Sequence, residues 1–171
     1  MDADFGLIRR MKAGEDGAIE AFVRKYYPAV LRYCYLHLRD KNYAEDATQE
    51  VFARFFRTLS QYRHYGKALN YLYVIAANIC RNSSRKPMET SLEELPEEPV
   101  WEMPPLDTRL DVQAALAKLP PELREVTILF FFQQQKQTEI ARILGIGLPL
   151  VKYRLRRAKE LLAGYLGKED V

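Results

Sequence analysis

Apolar residues recur at three- and four-residue spacing along almost the whole chain, and no stretch shows the strict alternation of a half-buried strand. The pattern predicts a helix from about Asp4 to Ala13, ended by Gly14, and a long one from about Gly17 to Leu38. A third is expected over Tyr43 to Leu59, where Ala44, Ala47, Val51, Phe52, Phe55, Phe56 and Leu59 make a wide apolar face. A fourth covers about Lys67 to Arg85. Downstream come Val112 to Leu119, then a helix opened by Pro120 and Pro121 and running to about Gln133; proline is tolerated in a first helical turn. The fold class is therefore all-α, with two small helical domains.

Residues 138 to 159 read as a short helix, a tight turn and a second helix. Ile140, Ala141, Ile143 and Leu144 give the first its apolar face, and Gly145 and Gly147 supply a permissive backbone for the turn. In the second, Val151, Leu155, Ala158 and Leu162 form one apolar stripe, while Lys152, Arg156 and Lys159 fall on a neighbouring one with Tyr153 and Arg157 beside them. A helix with an apolar back and a cationic front suits the DNA major groove, where Arg and Lys reach guanine edges and phosphates. A solvated amphipathic helix is the plainer reading, but the small helix and glycine turn just before it favour DNA.

Proline and acidic charge meet in one strip. Residues 89 to 107 hold seven carboxylates and no basic residue, so the rest of a chain with net charge +3 carries +10. Five of the nine prolines, Pro87, Pro96, Pro99, Pro104 and Pro105, lie in or beside it. Such a strip resists both helix and collapse, and 88 to 107 is expected to be an acidic linker between domains at 1–87 and 108–171. A loop packed across one larger domain, anchored by Trp101 and Met103, is the alternative. Basic globular parts point to a polyanionic partner.

The composition, 48% apolar and 29% charged, is that of a globular protein. No apolar run approaches the ~20 residues that span a bilayer, and the first residues lack a signal peptide's apolar core. A cytoplasmic location without membrane insertion is expected. Cys34 and Cys80 are far apart in sequence, outside any metal-spaced cluster, and fit small core positions. His37 and His64 are isolated and expected at the surface. There is no phosphate loop, no nucleophile with a base, and no ligand set, so neither an enzyme, a metal, a cofactor nor a small-molecule substrate is expected. Asp46 and Glu50, one helical turn apart, repel unless a base answers them, and suit a docking patch better than an acid–base pair.

Between Tyr62 and Lys86, aromatic, amide and basic residues interleave: Tyr62, Arg63, His64, Tyr65, Lys67, Asn70, Tyr71, Tyr73, Asn78, Arg81, Asn82, Arg85 and Lys86. Rings stack on unpaired bases, amides read base edges and cations follow phosphates, which is what single-stranded nucleic acid requires. Tyr71 or Tyr73 taken alone reads better as bundle core; the combination favours binding.

Three ordered segments carry a family resemblance. Ala44 to Phe52, AEDATQEVF, resembles the "AEDxxQExF" segment of bacterial sigma factors, and Tyr71 to Asn78, YLYVIAAN, resembles their "WLYxIAxN". Leu116 to Pro120 with Arg124, then Glu139-Ile140-Ala141 and Val151-Lys152-Tyr153-Arg154, resemble the "LPxxxR…EIA…VKSR" of their C-terminal domain. Order, spacing and linker are similar to those of the small extracytoplasmic-function sigma factors. The resemblance implies transcription initiation with core RNA polymerase and promoter DNA as partners, and family members often have an anti-sigma factor. It implies that Asp46, Gln49, Glu50 and Phe52 dock on polymerase. It assigns Tyr62, Arg63, His64, Tyr65, Lys67, Asn70, Tyr71, Asn78 and Arg81 to the −10 single strand. Lys152, Tyr153, Arg156 and Arg157 would reach −35 bases, with Arg154 and Lys159 nearer phosphates. The acidic linker would thread polymerase's positively lined cleft in place of nucleic acid. The chain departs from the pattern at Tyr71 (usually Trp), Ala68 (usually larger and apolar) and Pro149-Leu150-Val151 (usually Gly-Thr-Val); Thr138 is a substitute helix cap, with Gly147 a weak one. The competing function is a stand-alone helix-turn-helix regulator, which would need a dimerisation element for paired half-sites.

Overall fold

The computed structural model describes residues 3–64, 67–83 and 106–166, and helix is the only regular structure among them. The first four helices are α1 (Ala3–Lys12), α2 (Ala18–Leu38), α3 (Lys41–Arg57) and α4 (Ala68–Ser83). The rest are α5 (Leu106–Lys118), α6 (Pro121–Thr127), α7 (Gln137–Leu144) and α8 (Leu148–Leu166). Tyr65, Arg85, Lys86, Trp101, Met103 and most of the expected linker lie outside the described residues; at 106 and 107, expected to belong to that linker, α5 has already begun.

α2 is the spine, burying Phe22, Tyr26, Val30, Leu31 and Cys34 against α3 and α4. It runs unbroken through Pro28, whose missing donor is outweighed by burial on both flanks. Phe22 stacks on Phe55 at 4.9 Å between ring centres and meets Phe52 and Phe56 edge-on. Cys34 and Cys80 are both fully buried thiols.

α3 begins earlier than the apolar pattern suggests because Asp40 caps it, accepting from the Tyr43 amide at 3.0 Å. It also ends earlier, at Arg57, and Leu59–Gln61 form a 3-10 turn. The helix expected from Pro120 to Gln133 is likewise divided. α6 passes at Ile128 into a π-helical turn, Ile128–Phe132, with the Gln133 amide bonded to the Ile128 carbonyl at 3.0 Å. The wider turn keeps Ile128 and Leu129 in the core and leaves Phe131 exposed.

Thr138 does not cap α7; it lies inside the helix, and the cap position is Lys136 with no side-chain bond. Gly145 ends α7 with φ of 66°, in the left-handed region that favours glycine. Gly147 is outside that region; its carbonyl accepts from the Leu150 and Val151 amides at the entrance to α8. The C-terminal helices close back on the bundle, with α7 against α4, and α5 and the π turn against α2. One continuous apolar core runs through both parts.

Candidate nucleic-acid interface

The back of α8 is apolar as expected: Val151, Leu155 and Ala158 are buried and Leu162 half-buried. Its front exposes Lys152, Tyr153, Arg156, Arg157 and Lys159. The Arg156 guanidinium lies 5.7 Å from the Tyr153 ring centre, so this pair presents one cation on one flat apolar surface. Arg157 is answered by Glu160 at 3.1 Å, and Lys159 lies over the Phe131 ring at 5.7 Å. Arg154, expected near phosphates, turns inward to within 4.0 Å of Glu125. Position 154 is one residue before Leu155 and one turn before Ala158, on the side facing the protein. Leu150 is 38% exposed at the helix entrance, directly beside Lys152 and Tyr153.

The upstream segment separates into two groups. Arg63, Lys67 and Asn78 are exposed and His64 half-buried. Tyr62, expected to stack on bases, is a core residue: its ring packs edge-on against Phe55 at 5.1 Å and beside Tyr71 at 5.0 Å. Its hydroxyl and the His64 Nδ1 are 3.0 Å apart, and Lys12 of α1 donates to its carbonyl. Asn70 buries its amide oxygen without a hydrogen-bond partner, and Tyr73 is core. Arg81 donates to Glu125 through Nε at 2.8 Å and Nη2 at 3.2 Å, and to Asn78 through Nη1 at 3.3 Å. Tyr71 is half-buried.

On α3, Asp46 and Gln49 are exposed, and Tyr43, one turn earlier, is 50% exposed. Glu50 does not stand unanswered beside Asp46. It accepts from Arg54 at 2.9 Å and Arg57 at 2.8 Å, which holds its carboxyl below the usual range. Phe52, assigned to docking, points inward and stacks on Tyr27, because it shares the helix face of Val51 and Phe55.

His37 departs from expectation. It is buried, with neither ring nitrogen hydrogen-bonded, and burial together with nearby Arg124 lowers its pKa to about 4. Arg124 itself donates to the carbonyls of Leu116, Ala117, Leu119 and His37. Its neighbour Glu125 is 2% exposed, and burial raises its pKa against the pull of Arg81 and Arg154. No cluster of metal-ligating residues occurs among the described residues, and none of their helices is long and apolar enough to cross a membrane.

The geometry thus holds a groove-sized cationic helix in one part and a mixed aromatic and basic edge in the other. Residues 22–88 match the model of sigma-70 region 2, and residues 109–162 match that of sigma-70 region 4, in that order. The chain belongs to the extracytoplasmic-function sigma factors. Within that family it is 33% identical to the RNA polymerase sigma factor SigE of Mycolicibacterium smegmatis over 161 residues, covering 88% of this chain and 62% of SigE. It is 28% identical to SigW of Bacillus subtilis over 175 residues, covering 91% of this chain and 92% of SigW. It spans less than two thirds of SigE, and likewise 64% of BldN of Streptomyces coelicolor. The fold is similar to that of CnrH solved in complex with the cytosolic domain of CnrY. There the TM-score is 0.76 at 21% identity, over 99% of this chain and all of the other. It is also similar to RpoE of Bartonella quintana solved with the anti-sigma factor NepR, with a TM-score of 0.71 at 22% identity over 89% and 98% of the chains.

In this sigma factor family member the sequence did not single out Tyr43 or Glu125, and Leu150 entered only as a departure from the family pattern. Tyr43 is three residues before Asp46, a spacing that could have placed it on the same face. Nothing local marks Glu125, whose role depends on contacts with α4 and α8.

Proposed function

We propose that this chain is a promoter-specificity subunit of bacterial RNA polymerase, a non-catalytic protein acting in the cytoplasm. The observation that carries the reading is the exposed Lys152, Tyr153 and Arg156 face of α8, seated on a helix-turn-helix that follows a second, aromatic and basic edge. α8 reads the −35 element as duplex, with Lys152, Tyr153 and Arg156 at its centre, and Arg157 and Lys159 at its margin. Arg63, His64, Lys67, Asn78 and Arg81, together with Tyr65, take the −10 strand; capturing a base there costs a few kcal/mol of unstacking. Tyr62, Tyr71 and Asn70 shape that edge from beneath. Asp46, Gln49 and Glu50, joined by Tyr43 and backed by Phe52, dock on core polymerase. A domain at 1–87 and a second domain that opens with α5 at Leu106 carry the two readers, joined by the acidic linker that begins at 88. Arg154 supports α8 rather than touching DNA. An anti-sigma factor is a further partner of this reading, supported by the relatives crystallised with such proteins.

Reconstituted transcription with purified core polymerase and a promoter library tests this reading, with starts read by sequencing. Starts clustered behind a shared pair of upstream motifs are the expected result. A chain that does not bind core polymerase would end the proposal.

A further inference from the structure

Tyr153 and Arg156 stand one turn apart on the side of α8 opposite its buried stripe. Val151, Leu155 and Ala158 define that stripe, and at about 100° per residue the two side chains project away from it. Tyr153 is 52% exposed, and the Arg156 guanidinium lies over its ring at 5.7 Å from the centre. The three arginines of α8 are differently engaged. Arg154 turns inward to Glu125 at 4.0 Å, and Arg157 pairs with Glu160 at 3.1 Å. Glu160 is the one carboxylate of α8, and Arg156 has no carboxylate within ion-pair distance among the described residues. Tyr153 also stands where the family segment "VKSR" has serine, which offers a cation no ring face.

We propose that Tyr153 and Arg156 form one guanine reader, in which Arg156 donates to a guanine of the −35 duplex and Tyr153 holds the guanidinium in place. The outward side of a helix seated in the major groove faces base edges. A guanidinium only donates, so the edge it meets must accept. Guanine alone presents two acceptors there, O6 and N7 side by side. Adenine sets its one acceptor beside an amino group and thymine beside a methyl, while cytosine presents an amino donor. The planar fork of Arg156 matches the guanine pair with two parallel bonds. Tyr153 acts through Arg156. A ring beneath the guanidinium restricts its rotamers before DNA arrives, so less freedom is lost when the bonds form. Arg156 reads the base, and Tyr153 is its positioning residue.

This inference rests on the assignment of α8 to the −35 duplex, and the test separates the two. The full chain, assembled with core polymerase, selects duplexes from a pool randomised across the upstream element, and sequencing gives the preference at each position. Both side chains are exposed, so their substitution leaves the core untouched. In the wild type one position is expected to favour guanine over adenine by roughly tenfold. Arg156→Ala should remove that preference while other positions keep theirs. Replacing the selected guanine by 7-deazaguanine, which lacks the N7 acceptor, should weaken wild-type binding by about fivefold and leave Arg156→Ala unaffected. Tyr153→Ala should lower the guanine preference by roughly threefold, the worth of an exposed cation–π contact, and Tyr153→Phe, which keeps the ring face, should retain it. A guanine preference that survives Arg156→Ala, or upstream bases selected without a guanine, overturns the reader and leaves the assignment of α8 standing. Equal preferences in Tyr153→Ala and Tyr153→Phe overturn the positioning role. A wild type that selects no upstream base overturns the assignment of α8, and the reader with it.

Discussion

Arg124 Nη1 donates to the carbonyl oxygen of His37 at 3.2 Å, joining the end of α2 to α6. The same guanidinium raises the cost of charging the His37 ring, which is buried with both nitrogens unpartnered.

His37 therefore makes the fold acid-sensitive. Its pKa falls from 6.5 to about 4 on folding, so the unfolded chain binds the proton more readily over that interval. Its contribution is complete above pH 6.5 and is lost as pH falls toward 4, a change on the order of 3 kcal/mol. Glu125 works in the opposite sense, since its raised pKa favours the folded form as pH falls. Urea midpoints at pH 7 and pH 4.5 should differ less for His37→Phe than for the wild type. An equal acid loss in both would remove His37 as the cause.

Arg124 is a structural cation that pairs with no carboxylate among the described residues. Its bonds run to four backbone carbonyls, three of them at the end of α5, where positive charge also complements the helix dipole. Lysine has neither the fork nor the five donors to meet them. Arg124→Lys is expected to cost roughly 2–3 kcal/mol in urea unfolding, from charge-assisted bonds lost and carbonyls left unpaired. A midpoint within error of the wild type would contradict this account.

On α8, Lys152 lies at the centre of the reading face. Lys152→Ala is expected to weaken binding to selected promoter duplexes, most at the base it contacts, and to lower the salt slope by at most about one. Arg157→Ala should do less, because Glu160 already neutralises that side chain at 3.1 Å. Anisotropy titrations across a salt series measure both, and equal effects would mean that the Arg157 pair breaks on DNA.

Leu150 stands exposed where the family pattern has a threonine. An apolar side chain at a recognition helix's entrance contacts a thymine methyl in the major groove. Thymine should therefore be preferred over deoxyuridine at one −35 position by about fourfold, the worth of one buried methyl at ~0.8 kcal/mol. Leu150→Ala should abolish that preference; a preference that survives it belongs to another residue.

The helices and their order were legible because amphipathic spacing is local: Val51 and Phe55, or Val151 and Leu155, declare a face without reference to the rest of the chain. Asp40 was legible in principle as a capping residue, yet the apolar run starting at Tyr43 drew the boundary instead. The π turn at Ile128–Phe132 was not legible, since five large apolar residues suit an α-turn equally well. That Tyr62 belongs to the core was not legible. Tyr62 and Tyr65 look alike in sequence, but Phe55 and Tyr71 draw Tyr62 into the core.

Two things were contained in the chain alone: an all-helical fold, and the ordered motifs that assign its family. Both rest on spacing between near neighbours, which survives without knowledge of what packs where. The closing of α6 and α7 onto α2 and α4 was decided only in three dimensions. It turned His37 from a surface residue into a buried one, Arg154 from a DNA cation into an internal one, and Glu125 into the shared partner of both halves. Burial and ion pairing depend on atoms brought together from distant positions, so no local pattern could have assigned them.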